Sequence, residues 1–208
     1  MSRILVLGTS NRHKLGEIQP LLEGLDVTLK AAGEFGTFDV VEDGSTLEAN
    51  ATLKSEAAMK LSGHWAFADD TGLEVDAIDG QPGIHSARYA GPECDSEKNI
   101  DKLLSELQGV PTEKRTARFV CAIAFSRPNV PPQTFRATCP GRILTERRGT
   151  GGFGYDSVFL MDASNRSFAE MTMAEKNRLS HRACAVKLFR TELVKLLLDN
   201  LTPRERNA

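Results

Sequence analysis

The chain has 208 residues, 40% hydrophobic and 26% charged, enough for one sizeable core or two small lobes. Its 26 basic and 28 acidic residues leave a net charge of −2, which excludes a general nucleic-acid or membrane-surface binder and confines any basic site to one locality. The four cysteines form no CxxC pair, which argues against structural zinc and suits reduced thiols in a cytoplasmic setting.

The opening "MSRILVLGTSNRHK" has too short an apolar stretch for a signal peptide, and no run reaches membrane-spanning length. "RILVLG" reads as a buried strand. Leu15, Ile18, Leu22 and Leu25 recur at helical spacing and predict a helix over 11–24. "DVTLK" reads as a second strand, so the chain starts as an α/β fold with some parallel pairing. Between strand and helix, "TSNRHK" is a turn of small polar residues where free backbone N–H groups and the helix dipole favour phosphate. Lys14 adds a positive charge there, although a capped helix with a surface lysine fits the stretch equally well. The GxxxxGK[ST] pattern of a Walker loop is absent.

Residues 33–44 hold three glycines and read as a loop. "STLE" has capping-box spacing, Ser45 to Glu48, and predicts a helix to Leu61 with Leu53, Ala57 and Leu61 inward and Lys54 near that stripe. "WAFAD" and "LEVDAI" read as a strand pair around the turn "DTG", with Glu74 and Asp76 on one face. Asp69, Asp70, Glu74 and Asp76 thus fall within eight residues. Hard oxygen ligands of this kind suit Mg²⁺, which takes one or two carboxylates plus substrate phosphates, and Glu42 in "VVEDG" could be a second ligand. A solvated acidic turn is the commoner fate of an Asp–Asp pair. The apolar "WAFA" ahead of it favours function, because it drives the pair into a buried strand where unpaired charge is costly. His85 and Arg88 could contact a ligand, although a solvated face is the usual place of such a His–Arg pair.

"DSEKNIDKLLSELQG" predicts a helix with Ile100, Leu103, Leu104 and Leu107 inward and Gly109 as its stop. "TARFVCAIAFSR" and "TFRATCPGRILTE" read as strands joined by "PNVPP", with Pro140 marking an edge or a bulge. "RRGTGGFGYDSVF" is a glycine-rich loop running into a strand. Its glycines allow close approach to a flat ligand and Phe153 offers a stacking face, but a core phenylalanine in a strained loop is the commoner outcome for this stretch alone. "TMAE" repeats the capping-box spacing from Thr172 to Glu175, and the last helix carries Val186, Phe189, Leu193, Leu196 and Leu197 inward. Lys176, His181 and Arg182 cluster at a helix start, able to donate to a ligand or to sit on a solvated face. No linker is evident. The reading is one α/β domain over 1–200, an elongated mixed sheet with flanking helices and two lobes around a central cleft, with 201–208 as a frayed tail.

"TSNRHK", "FADDTGLEVDAIDGQPGIHSARYAG", "GTGGFGYD" and "EKNRLSHRA", in that order and at these separations, resemble the inosine/xanthosine triphosphate pyrophosphatase family over residues 3–199. The DDTG-to-ARYAG block and FGYD…SHR are the specific parts. The resemblance implies a cleft between two lobes, a homodimer, and Mg²⁺-dependent hydrolysis of ITP, dITP and XTP to a nucleoside monophosphate and pyrophosphate. By position, Asp70 resembles the general base and metal-associated carboxylate, and Glu42 a second metal-associated acid. Thr9, Ser10, Asn11, Arg12, His13, Lys14 and Lys54 resemble the triphosphate cradle, and Thr71 a substrate contact. Phe153, Gly154, Tyr155, Asp156, Lys176, His181 and Arg182 resemble the base-binding set. Ser10 stands where glycine is common, Thr71 where serine is common, and Ser157 where proline often follows FGYD; none of these departures removes a charge. The related septum-formation pyrophosphatases are disfavoured by "SNRHK" and "SHR", a non-catalytic nucleotide sensor by the intact acidic cluster, and a nuclease by the balanced charge.

Overall fold

The computed structural model describes residues 2–199; the tail expected to fray, 201–208, lies outside them. The strands are β1 (Arg3–Leu7), β2 (Val27–Ala31), β3 (Trp65–Val75), β4 (Pro82–Gly83), β5 (Thr116–Arg127), β6 (Val130–Ile143), β7 (Phe159–Met161) and β8 (Arg166–Ser167). The helices are α1 (Arg12–Ile18), α2 (Leu47–Ser62), α3 (Ser96–Glu106), α4 (Met173–Leu179) and α5 (His181–Asp199). All eight strands join one sheet in the order β2-β1-β3-β5-β6-β7-β8, with β4 paired to β3. β1 is parallel to both β2 and β3, and the other pairings are antiparallel. A central parallel strand is covered on both faces, which is why "RILVL" is apolar without alternation.

Two apolar clusters make the two lobes. One gathers Leu73, Val75, Ile100, Leu103, Phe119, Phe159 and Phe168. The other gathers Leu5, Leu7, Ile18, Phe67, Ile123, Phe125, Val186 and Phe189. Strands β3 and β5 run through both, so the sheet is the common floor of the lobes and of the cleft between them. On one sheet face Asp70 meets α2, and on the other Phe67 stacks on Phe189 of α5.

Several expected elements come out differently. "DTG" is no turn: Asp69 to Leu73 pair without interruption against Ile123 to Phe119, so the two expected strands are one. Long-range pairing outweighs the local turn signal. Gly72 is needed for packing instead, since a Cβ there would meet the Gly83 carbonyl at 2.6 Å where β4 comes alongside. The real reversal lies further on, at Asp79 and Gly80 with φ of 54° and 79°. The first helix stops at Ile18 and continues as a 3₁₀ turn over Gln19–Leu22, because Pro20 has no N–H to continue the α ladder. Thr46, not Ser45, caps α2 by accepting the Ala49 N–H.

The buried face of α2 is also rotated from the expected stripe. Leu53 and Leu61 are partly exposed, and Leu47, Asn50, Ala51, Lys54, Ser55 and Ala58 point at the sheet. Small residues let the helix lie close to the sheet alanines 66 and 68, and Ser55 hydrogen-bonds Ser126 at 2.8 Å. That rotation is what sends Lys54 inward. β6 begins at Val130 and absorbs Pro131 and Pro132, leaving a tighter reversal at Asn129, φ 61°. Pro140 lies where β6 has no outer partner, since β7 pairs only with Arg142 and Ile143; the register irregularity is elsewhere, between Phe125 and Arg127.

Candidate active site

A cleft of about 410 Å³ opens between the lobes. Its lining includes Thr9, Ser10, Asn11, Lys14, Glu42, Lys54, Asp70 and Thr71 together with Phe153, Gly154, Tyr155, Asp156, Lys176, His181 and Arg182. Of the residues singled out in the sequence, His13 is set apart from this lining but stacks on Phe153, with ring centroids 5.2 Å apart. The side chain of Arg12 is outside the described set.

Asp70 is brought to α2 by strand alternation. Its Oδ1 lies 2.7 Å from Lys54 Nζ, and its Oδ2 accepts from Asn50 Nδ2 at 3.3 Å. Glu42 reaches the same ammonium at 3.2 Å. Burial alone would lower the Lys54 pKa, but the charges of Asp70, Asp69 and Glu42 outweigh it and raise it, so the ammonium stays charged. Asn50 also accepts the Gly44 N–H at 2.8 Å, which ties down the loop that carries Glu42. Sequence reasoning missed Asn50; its signal was its position one helical turn before Lys54. Gly8 permits the close approach of β1 to α2, since a Cβ there would meet the Lys54 carbonyl at 2.9 Å.

The expected cradle of free helix N–H groups needs a correction. Asn11 Oδ1 already accepts from His13 N and Lys14 N, so two donors of α1 are capped. Lys14 Nζ is turned onto Asp69, 3.0 Å from Oδ2 and 3.3 Å from the carbonyl.

Around Arg182 and Lys176 a buried ion network replaces the simple donor set read from the sequence. Arg182 Nε donates to Asp69 Oδ2 at 3.0 Å, one terminal nitrogen donates to Glu17, and the other to Thr71 Oγ1 at 3.0 Å. Lys176 Nζ lies 2.7 Å from Glu17 and bonds Asp156 Oδ2, which also accepts the Phe153 N–H at 2.9 Å. Asp156 is therefore already engaged at that oxygen. Burial would raise the Glu17 pKa, but Arg182 and Lys176 hold it below the ordinary value. Asp69 is fully buried; burial opposes its charge, yet Lys14, Arg182 and Lys54 hold its carboxyl well below the usual range. Tyr155 donates its hydroxyl to the Ser86 carbonyl at 2.9 Å and so holds the neighbouring loop. Glu17 was the other omission, a charged residue on the inner face of α1, one turn after Lys14.

His181 is different from its neighbours. Its ring stacks on Phe119 at 4.6 Å and 12°, and neither nitrogen has a hydrogen-bond partner among the described residues. Burial, helped by the Arg182 and Lys176 charges, pushes its pKa well below the ordinary value, so the imidazole is neutral. A neutral ring offers one donor and one acceptor to whatever enters the cleft.

Among the described residues no group of three or more His, Cys, Asp and Glu side chains could hold a metal alone. The Asp70–Glu42 pair nevertheless fits a hard divalent cation that shares its coordination with phosphate oxygens. Both carboxylates already converge on one positive charge, the Lys54 ammonium. No helix among the described residues is long and apolar enough to cross a membrane, and all four cysteines are free.

A mixed α/β sheet with a cleft lined by cations, paired carboxylates, an aromatic face and a neutral imidazole sets the class: an α/β protein with a polar, charged cleft. The chain belongs to the Ham1 family, whose model matches residues 5–192. It is 46% identical over 183 residues to a dITP/XTP pyrophosphatase of Halalkalibacterium halodurans, covering 88% of this chain and 94% of that one. It is 46% identical over 190 residues to the dITP/XTP pyrophosphatase of Geobacter sulfurreducens, covering 91% and 96%. Among solved structures, the Ham1 protein of Staphylococcus aureus superposes with a TM-score of 0.84 at 38% identity, covering 93% of this chain and 100% of that one. A HAM1 protein from Coxiella burnetii gives 0.85 at 36%, covering 93% and 99%.

Proposed function

We propose that the protein hydrolyses deaminated purine nucleoside triphosphates, ITP, dITP and XTP, to the nucleoside monophosphate and pyrophosphate, and so cleanses the nucleotide pool. The observation that carries this is the gathering of Asp70, Glu42 and Lys54 with Phe153 and His181, whose ring nitrogens have no hydrogen-bond partner among the described residues, in the lining of one cleft. The pyrophosphatase relatives support it.

In this reading Lys54 and Lys14 hold the triphosphate and offset charge developing on its oxygens. Asp70 takes the proton of a water that attacks the α-phosphorus, and pyrophosphate leaves. Asp70 and Glu42 would hold a divalent cation, magnesium, whose chemistry is to neutralise phosphate oxygens and activate water. Phe153 supplies a stacking face. A deaminated purine presents an acceptor at its six-position and a donor on the adjacent ring nitrogen, and adenine presents the reverse. The neutral His181 ring and the N–H groups left on Arg182 match the first pattern, and adenine would leave buried polar atoms unpaired. The same reading takes residues 1–200 as one domain of a cytoplasmic homodimer that acts on free nucleotides, not nucleic acid; sedimentation checks the dimer.

The test is a panel of ITP, dITP, XTP, GTP and ATP with Mg²⁺, with products separated by chromatography. Monophosphate plus pyrophosphate from the deaminated purines is the expected result. Diphosphate plus orthophosphate, or equal turnover of ATP, overturns it.

A further inference from the structure

We propose that Asp69 is a positioning residue: one buried oxygen sets both Lys14 and Arg182, and so couples triphosphate binding to base selection. The inference rests on the pyrophosphatase reading for its substrates. Alternation along β3 turns Asp69 away from Asp70, to the sheet face packed by α1 and α5. Its side chain does not line the cleft and is fully buried. Its Oδ2 is 3.0 Å from Lys14 Nζ and 3.0 Å from Arg182 Nε, and accepts the Thr71 hydroxyl at 3.1 Å. Its Oδ1 has no hydrogen-bond partner among the described residues. All of its hydrogen bonding is therefore on the side that faces the two cations.

Both cations line the cleft side by side on that one oxygen, and in the pyrophosphatase reading they have different tasks, Lys14 toward the phosphates and Arg182 toward the base. Both contacts of the Lys14 ammonium are to Asp69, one to the side chain and one to the carbonyl. Arg182 has one other carboxylate, Glu17, which it shares with Lys176. Asp69 is fixed in turn by its place opposite Ile123 in the sheet. An amide at this position cannot accept from both cations with a full charge, and both would lose their common counter-charge while buried. Lys14 and Arg182 would then reorient together.

The experiment measures kcat and KM for ITP and ATP in wild type, Asp69→Asn, Thr71→Val, Lys14→Ala and Arg182→Ala. Lys14→Ala is expected to raise KM for both nucleotides and keep their kcat/KM ratio, and Arg182→Ala to shrink the ratio. Asp69→Asn should do both, each by about tenfold or more. Thr71→Val removes the hydroxyl that bridges Asp69 and Arg182 while keeping every charge, and should shrink the ratio; Thr71 also lines the cleft, so a KM change common to ITP and ATP is read as its own substrate contact, and the ratio stands in if Asp69→Asn does not fold. A folded Asp69→Asn that melts at lower temperature but keeps KM and the ITP-to-ATP ratio within twofold overturns the proposal, and an unchanged ratio in Thr71→Val does so in its place. A wild type with no preference for ITP refutes the functional reading instead. The KM shift shared by Asp69→Asn and Lys14→Ala would then still decide the Lys14 half of the coupling.

Discussion

The middle of β3 and the stretch where it runs out into the following 3₁₀ turn each carry a pair of acids, and the molecule uses them oppositely. At Asp69 and Asp70, helices cover both faces of the strand, and each carboxylate is buried against a helix cation. Past Gly72 the cover ends on the Asp70 face, while Leu73 and Val75 stay buried on the other. Glu74 and Asp76 pair instead with Arg118, and Glu74 also with Arg136, all on a partly solvated surface where Arg118 is 43% exposed. The expectation that Glu74 and Asp76 share one face is met, but they form an outer charge ladder. A buried charge without its partner is strongly destabilising, whereas an exposed pair contributes little. What packs on an acid, not how many acids stand together, decides whether it can do chemistry.

The contrast can be broken by substitution. Asp70→Asn should lower kcat on the order of a thousandfold while the fold and nucleotide binding persist, checked by turnover beside equilibrium binding; near-normal turnover removes Asp70 from the chemistry. Arg182→Ala should cut the ITP-to-ATP ratio of kcat/KM by roughly a hundredfold. An unchanged ratio would reduce Arg182 to a buried structural cation.

A smaller effect reports on burial through pH. His181 is held neutral in the folded chain, while in the unfolded chain it titrates near its ordinary value of about 6.5. Below that pH the unfolded state takes up a proton the folded state refuses, so stability falls as pH falls, by about 1.4 kcal/mol per pH unit; above it the group contributes no slope. Urea midpoints at two pH values either side of that point, for wild type and His181→Asn, isolate the effect, since only wild type should show this share of the acid loss. At the bottom of the scale, Arg118→Ala should change unfolding free energy by about 0–1 kcal/mol and leave turnover untouched. A large loss of activity there would erase the distinction between the two pairs of acids.

Much of this was legible in the sequence where one local signal met one local structure. "TARFVCAIAFSR" is β5 residue for residue, and Thr172 with Glu175 closes the capping box that opens α4. The site residues in the cleft carried motif spacing that survived folding. What failed was decided from a distance. "DTG" has the composition of a turn and is held straight by β5. The inner face of α2 is set by the need to lie against sheet alanines and to deliver Lys54, which helical spacing of leucines could not reveal. Arg182 looked like a free donor because its partners, Glu17, Asp69 and Thr71, are far from it in the chain.

The unbroken ladder between β3 and β5 has a consequence for how the protein acquires its site. It joins Ala66 through Val75 to Ser126 through Ala117, pairing segments separated by a hairpin, a loop and the whole of α3. Closing so long a loop is slow and comes before the contacts that reward it. Asp69 and Asp70 take up their opposite faces only once that register is set. A partly folded chain would thus have no ordered place for a nucleotide, and the substrate should slow global unfolding rather than hasten early collapse.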